Sequence, residues 1–304
     1  MSIKIFNPTQ SLFVSSSVAI LAVCATGQAA FAQTSHGDHH HLMIGVDNLE
    51  ILNRETDPFK GFLNPNYKRL SLLFPHLHQP VNTSGFHAIG IYGYQGTVSN
   101  YTVSNSINNQ LPEASYSQST LTLFPGTGVF EGKLISLKTE ANMYSDLKMK
   151  PVAHLVPELD DPYVNSIYHS PRGENRWNQE LGAQTKIALK LISLTPGLGV
   201  ADSQGNQLFT SSDTEVLGTG DNWGFTPRFF VQESAPKKTY SATLQLLDVT
   251  DLSQYPTHIP WGESGRFTFN FQPVPEPMTI LGVTTASLFG SLFKRELSKK
   301  PKKK

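Results

Sequence analysis

The chain has 304 residues, 24 Lys and Arg against 24 Asp and Glu, and one cysteine. Setting aside a leader that ends at Ala32 and the tail after Pro277 removes Lys4, seven tail cations and one tail anion, so the body keeps 16 cations against 23 anions, a net of −7. An acidic body lacks the basic patch that exchanges condensed counterions for Lys and Arg, which excludes nucleic acid as a partner. Its one cysteine, Cys24, falls inside the leader and excludes disulfides and thiolate zinc sites downstream.

The first element is that leader. Behind the single cation Lys4, residues Ser11 to Ala25 read "SLFVSSSVAILAVCA", and Ala30 and Ala32 form a small-x-small pair. The order predicts a signal peptide over residues 1–32, cut after Ala32, and hence export. The apolar run is too short to span a bilayer comfortably. The mature chain then opens near "SHGDHHHLMIGVDNL", with His36, His39, His40 and His41 in six positions and Asp38 among them. Neutral imidazole binds zinc, copper and nickel at neutral pH, so this cluster reads as a metal-ligating segment; the other reading is a solvated polar one. Ordering a mobile segment costs free energy, so such a site would bind weakly and exchange readily. Trimming to Thr34 would make His36 the third residue, where the amine, two amides and imidazole favour copper or nickel over zinc. Asp47 reads as a carboxylate ligand or as a turn residue.

From Gln33 to Gln272 the pattern is β. "RLSLLF" at Arg69, "FHAIGIYGY" at Phe86, "TLTLF" at Thr120, "KLISL" at Lys133, "KIALKLISLT" at Lys186 and "RFFVQE" at Arg228 are strand candidates bounded by Pro, Gly, Asn and Ser. "TYSATLQLLDV" places Tyr240, Ala242, Leu244 and Leu246 on one face, and "RFTFNF" sends Phe267, Phe269 and Phe271 one way. No long segment has helical periodicity with caps at both ends. The expected fold is all-β, an antiparallel β-sandwich of jelly-roll or immunoglobulin-like type. An internal boundary, or one long surface loop, falls near residues 150–165 in "MKPVAHLVPELDDPYVNS".

A second histidine group lies at "FPHLHQPVNTSGFHAIG". His76 and His78 are two apart and on a strand would project from one face. His87 joins them across a hairpin whose connection is rich in turn residues, giving a three-ligand metal site. Alternatively His87, which shares a face with Ile89 and Ile91, is a partly buried ring bonded to backbone. His154, His169 and His258 stand alone and read as structural.

The chemistry of catalysis is not written in the chain. The His-x-His pair is not followed by the nearby glutamate of a cupin metal site, and Gly-x-Ser-x-Gly, His-Glu-x-x-His and phosphate-loop patterns are absent. Glu113, Glu131, Glu158, Asp160 and Asp161 are acids that could pair for glycoside chemistry or simply be solvated surface. The expectation is a binding protein, not an enzyme. In a competing non-enzyme reading, Trp177, Trp223 and Trp261, each beside Gly, Asn or Pro, stack on envelope polysaccharide; capping of a sandwich core is the alternative for these rings.

The last element, residues 273–304, holds Pro275-Glu276-Pro277, an uncharged stretch from Met278 to Phe293 and a basic end from Lys294. An apolar run followed by lysines is a stop-transfer pattern, with transient inner-membrane insertion of the helix. The three-part order resembles the PEP-CTERM sorting signal, although lysine replaces the usual arginines and Glu296 interrupts the basic end. The resemblance implies removal of the tail by an exosortase-type membrane protease and delivery to the outer envelope or medium. With "SAPKKTYSATLQLLD", "SGRFTFNF" and the N-terminal histidines, the whole chain resembles a cyanobacterial group of PEP-CTERM proteins repressed by the zinc uptake regulator. That resemblance implies synthesis under zinc scarcity and a role in zinc capture or envelope adaptation. It carries over no catalytic residue.

Overall fold

The computed structural model describes residues 41–115, 119–170 and 174–274. The signal peptide, His36, His39 and His40, and the sorting segment from Pro275 lie outside them. Among the described residues no helix is long and apolar enough to cross a membrane.

The described residues are mostly strand. In chain order these are β1 (Leu42–Val46), β2 (Leu70–His76), β3 (Gly85–Ile89), β4 (Ile91–Thr97), β5 (Asn100–Ile107), β6 (Gln110–Leu111), β7 (Leu121–Pro125), β8 (Lys133–Ser136) and β9 (Met149–Pro151). After helix α1 (Pro162–His169) come β10 (Lys186–Leu194), β11 (Gly199–Ala201), β12 (Thr214–Thr219), β13 (Arg228–Gln232), β14 (Tyr240–Asp248) and β15 (Phe267–Pro273).

A four-stranded sheet has the order β3-β2-β1-β9, a nine-stranded sheet runs β11-β13-β8-β7-β15-β14-β10-β12 with β6 also on β15, and β4 and β5 form a hairpin. The alternation in β14 and β15 is realised: Tyr240, Ala242, Leu244, Leu246, Phe267, Phe269 and Phe271 are all buried. Gln245, on the opposite side of β14, is also buried, because its amide donates to the Ser264 carbonyl at 2.7 Å.

β1 and β2 do not alternate, since both faces of the small sheet are covered. Leu42, Ile44, Val46, Leu70, Leu72 and Phe74 join the aromatic strands of the large sheet in one apolar cluster. Met43 and Leu73 point the other way, into a second cluster with Val152, Leu155, Val164, Ile167 and Trp177. The stretch near residues 150–165 therefore holds the end of β9, an edge strand of the small sheet, and a 3-10 segment and α1 that pack over that sheet. α1 begins where Asp161 accepts from the Tyr163 and Val164 amides, with Pro162 in the first turn.

The expectation of a purely antiparallel arrangement needs correction. β1 with β9, β15 with β6 and β15 with β7 pair in parallel. These partners are distant in sequence, so no hairpin dictates their direction.

Candidate metal centre

β2 and β3 bring two of the predicted histidines together. Their antiparallel register sets Phe74 opposite His87 and Leu72 opposite Ile89, so His76 and His87 lie on the face that carries Leu70, Leu72 and Phe74. The two rings are 4.0 Å apart between centroids. His76 is 2% exposed, closed off by Phe74 and by Tyr144, whose ring stacks on Phe74 at 4.2 Å. His87 sits at the sheet edge, 44% exposed.

Between the two rings comes a carboxylate that no spacing pointed to. The short strand β6 ends at Leu111, and two residues later Glu113 turns inward, 3% exposed. Its Oε2 lies 2.8 Å from His76 Nε2 and accepts from the Tyr144 hydroxyl at 2.8 Å. Its Oε1 lies 3.1 Å from His87 Nδ1 and accepts from Asn108 Nδ2 at 3.0 Å. Burial pushes the Glu113 pKa up, but the bonds from His76, His87, Asn108 and Tyr144 outweigh it and hold the carboxyl well below the usual range. An ionised carboxylate only accepts, so both ring nitrogens facing it carry hydrogen. For His76, burial outweighs the favourable bond to Glu113 and lowers the ring's pKa, which keeps the imidazole neutral.

Two imidazoles and one carboxylate are a donor set suited to zinc and other divalent first-row metals. One donor atom from each of His76, His87 and Glu113 lies within 4.8 Å of the others. A ring nitrogen that donates to Glu113 has no lone pair for a metal, so loading would require the rings to present an unprotonated nitrogen in its place, with the exposed His87 ring the freer to turn. Tyr144 and Asn108 would then remain as the outer partners that orient the carboxylate.

The other expected ligands fall elsewhere. His78 lies just past β2, exposed, with its ring parallel to His76 at 5.9 Å, and is not one of the three converging donors. His41 is 5% exposed and directly precedes β1, so it belongs to the folded body. Asp47 is fully buried and holds Arg176 through two contacts, Nε to Oδ1 at 2.9 Å and Nη2 to Oδ2 at 2.5 Å, while Asn64 donates to it as well. It is neither an exposed ligand nor only a turn residue.

His258 donates to Asp248, and His169 contacts Asn175. Trp177 is buried in the second cluster, and Trp223 and Trp261 pack against the main one while donating to the Gly220 and Leu181 carbonyls. The three rings cap the core, the alternative left open for them.

The fold and this cluster thus define a mostly β protein with a half-buried His-Glu-His centre. No protein-family model matches the chain, and neither any curated protein nor any solved structure matches it.

Proposed function

We propose that this is an exported envelope protein that binds a divalent metal ion, zinc foremost with copper or nickel as competitors, through His76, His87 and Glu113. The observation that carries the reading is the convergence of two imidazoles and an ionised, almost fully buried carboxylate whose donor atoms lie within 4.8 Å. The proposed role is capture or retention of metal under scarcity, by binding and not by catalysis. His36, His39, His40 and His41 are proposed as a second, weaker set of metal ligands in addition to the fixed centre, with His41 the member that belongs to the folded body.

For the fold we propose a β-sandwich, supported by the one apolar cluster that draws on both sheets. For location, Ala30 and Ala32, Pro275-Glu276-Pro277 and the basic end from Lys294 support cleavage of the leader, transient insertion of Met278 to Phe293 and release by an exosortase-type protease. Envelope polysaccharide is kept as a proposed contact of the exported form.

The test is metal analysis of the protein isolated from its zinc-limited producing cells without a nickel column. The expected result is zinc that co-purifies in proportion to protein and falls away in a His87→Ala strain. Metal-free protein would contradict the reading.

A further inference from the structure

We infer that a metal ion held by His76, His87 and Glu113 keeps one coordination position open to small anions, carboxylates among them, which reach it through the cleft beside His87. This rests on the metal reading above.

The ligand count is the first reason. Structural zinc sites are closed by four protein donors, whereas three donors leave a position for water or an exchangeable ligand. Among the described residues three converge here. His78, a further imidazole among the described residues, has its ring nearly parallel to His76 at 5.9 Å, and its backbone amide is tied to Ser84 Oγ at 2.8 Å, which holds the turn in place.

Direction is the second. Glu113 and His76 approach from the interior, 3% and 2% exposed, while His87 approaches from the edge. A cleft of about 250 Å³ is lined by His76, His78, His87, Thr83, Arg176 and Trp177, among others. Among the described residues, the side of the centre left open is the cleft side. Its volume is below the roughly 300–1,000 Å³ of pockets for drug-sized ligands, which selects a small one.

Charge is the third. A divalent ion with one carboxylate and two neutral imidazoles keeps one positive charge, so an anion completes it. Arg176 lines the cleft wall over the Trp177 ring at 4.6 Å, with its charge matched by Asp47, so it offers polar N–H groups more than net charge. Glu174 also lines the cleft, with its Oε1 accepting from Asn53 at 3.2 Å. An anion must therefore approach on the histidine and arginine side.

The full chain loaded with cobalt(II), stripped of excess ion, tests this by its visible absorption during titration with azide and then acetate. The expected result is a saturable shift of the cobalt bands with each anion, retained in His78→Ala. Stoichiometric cobalt whose bands do not move would overturn the inference, and a response seen only in His78→Ala would name His78 as the ligand that closes the site. Failure to retain cobalt at all would overturn the metal reading itself, and this inference with it.

Discussion

Glu113, its side chain 3% exposed, accepts four hydrogen bonds on two oxygens. Its removal takes an acceptor from His76, His87, Tyr144 and Asn108 together. A buried donor that loses its acceptor costs about 1–3 kcal/mol, and Glu113→Ala, which takes the acceptor from several at once, is expected to lose roughly that much or more in denaturant unfolding. Glu113→Gln keeps the shape and some bonds and is expected to cost less. A variant with unchanged stability would mean that the carboxylate is not seated as described.

A second buried acid governs pH behaviour away from this centre. Asp248 accepts from His258, Thr250 and the Trp261 amide, which clamps the segment following β14. Burial pushes its pKa up, but these bonds hold it below the ordinary value. A carboxyl with a lowered folded pKa contributes stability that is complete above its unfolded pKa, about 4, and is lost as pH falls through the folded value. The melting-temperature gap between the protein and Asp248→Ala should therefore be wide at neutral pH and shrink below about pH 4. A gap that is constant down to strong acid would contradict this.

At the level of elements, the centre depends on how β3 passes into β4. Gly90 joins them at φ +63°, its amide donates to the Asn108 carbonyl at 2.8 Å, and a Cβ there would meet the Arg266 carbonyl oxygen at 2.4 Å. The same Asn108 holds Glu113 and the Ala88 carbonyl through its side chain. Gly90→Ala combines left-handed backbone strain of about 1–2 kcal/mol with overpacking of about 1–3 kcal/mol, so a loss of roughly 2–5 kcal/mol is expected in chemical denaturation. Gly61→Ala, at φ +88° with nothing within 4 Å of the added carbon, supplies the control, with strain alone. Equal losses in the two variants would remove the packing argument.

These elements also show what the sequence could tell. β14 and β15 were legible because each buries one face, and alternation is the imprint of that. β1 was not, because "LMIGV" is buried on both faces by two different clusters. α1 was missed as well: Asp161 and Pro162 are a sound start signal, but eight residues are too few to show a period. His76 and His87 were readable as a pair because a hairpin joins them. Glu113 was named only as one acid among several; it lies 26 and 37 residues from its two histidines, and nothing in the spacing encodes that approach.

On the scale of the molecule, the shared core of the two sheets continues past the His-Glu-His cluster. Phe74 and Tyr144 pack on His76 from the core side, and the polar donors around Glu113 already have acceptors. Metal should therefore add stability by mass action and not create the fold, by about 2.7 kcal/mol when zinc is at a hundred times its dissociation constant. In the proposed function the fixed centre and the N-terminal histidines contribute separately: the first is positioned by β2, β3 and the residues after β6, while of the second only His41, buried just before β1, lies among the described residues. Calorimetry with zinc separates them when the unaltered protein is compared with His76→Ala/His87→Ala and with His36, His39, His40 and His41 all changed to alanine. The account predicts that the tightest equivalent of zinc disappears in the His76/His87 variant and survives in the other. Unchanged stoichiometry and affinity in the His76/His87 variant would contradict it.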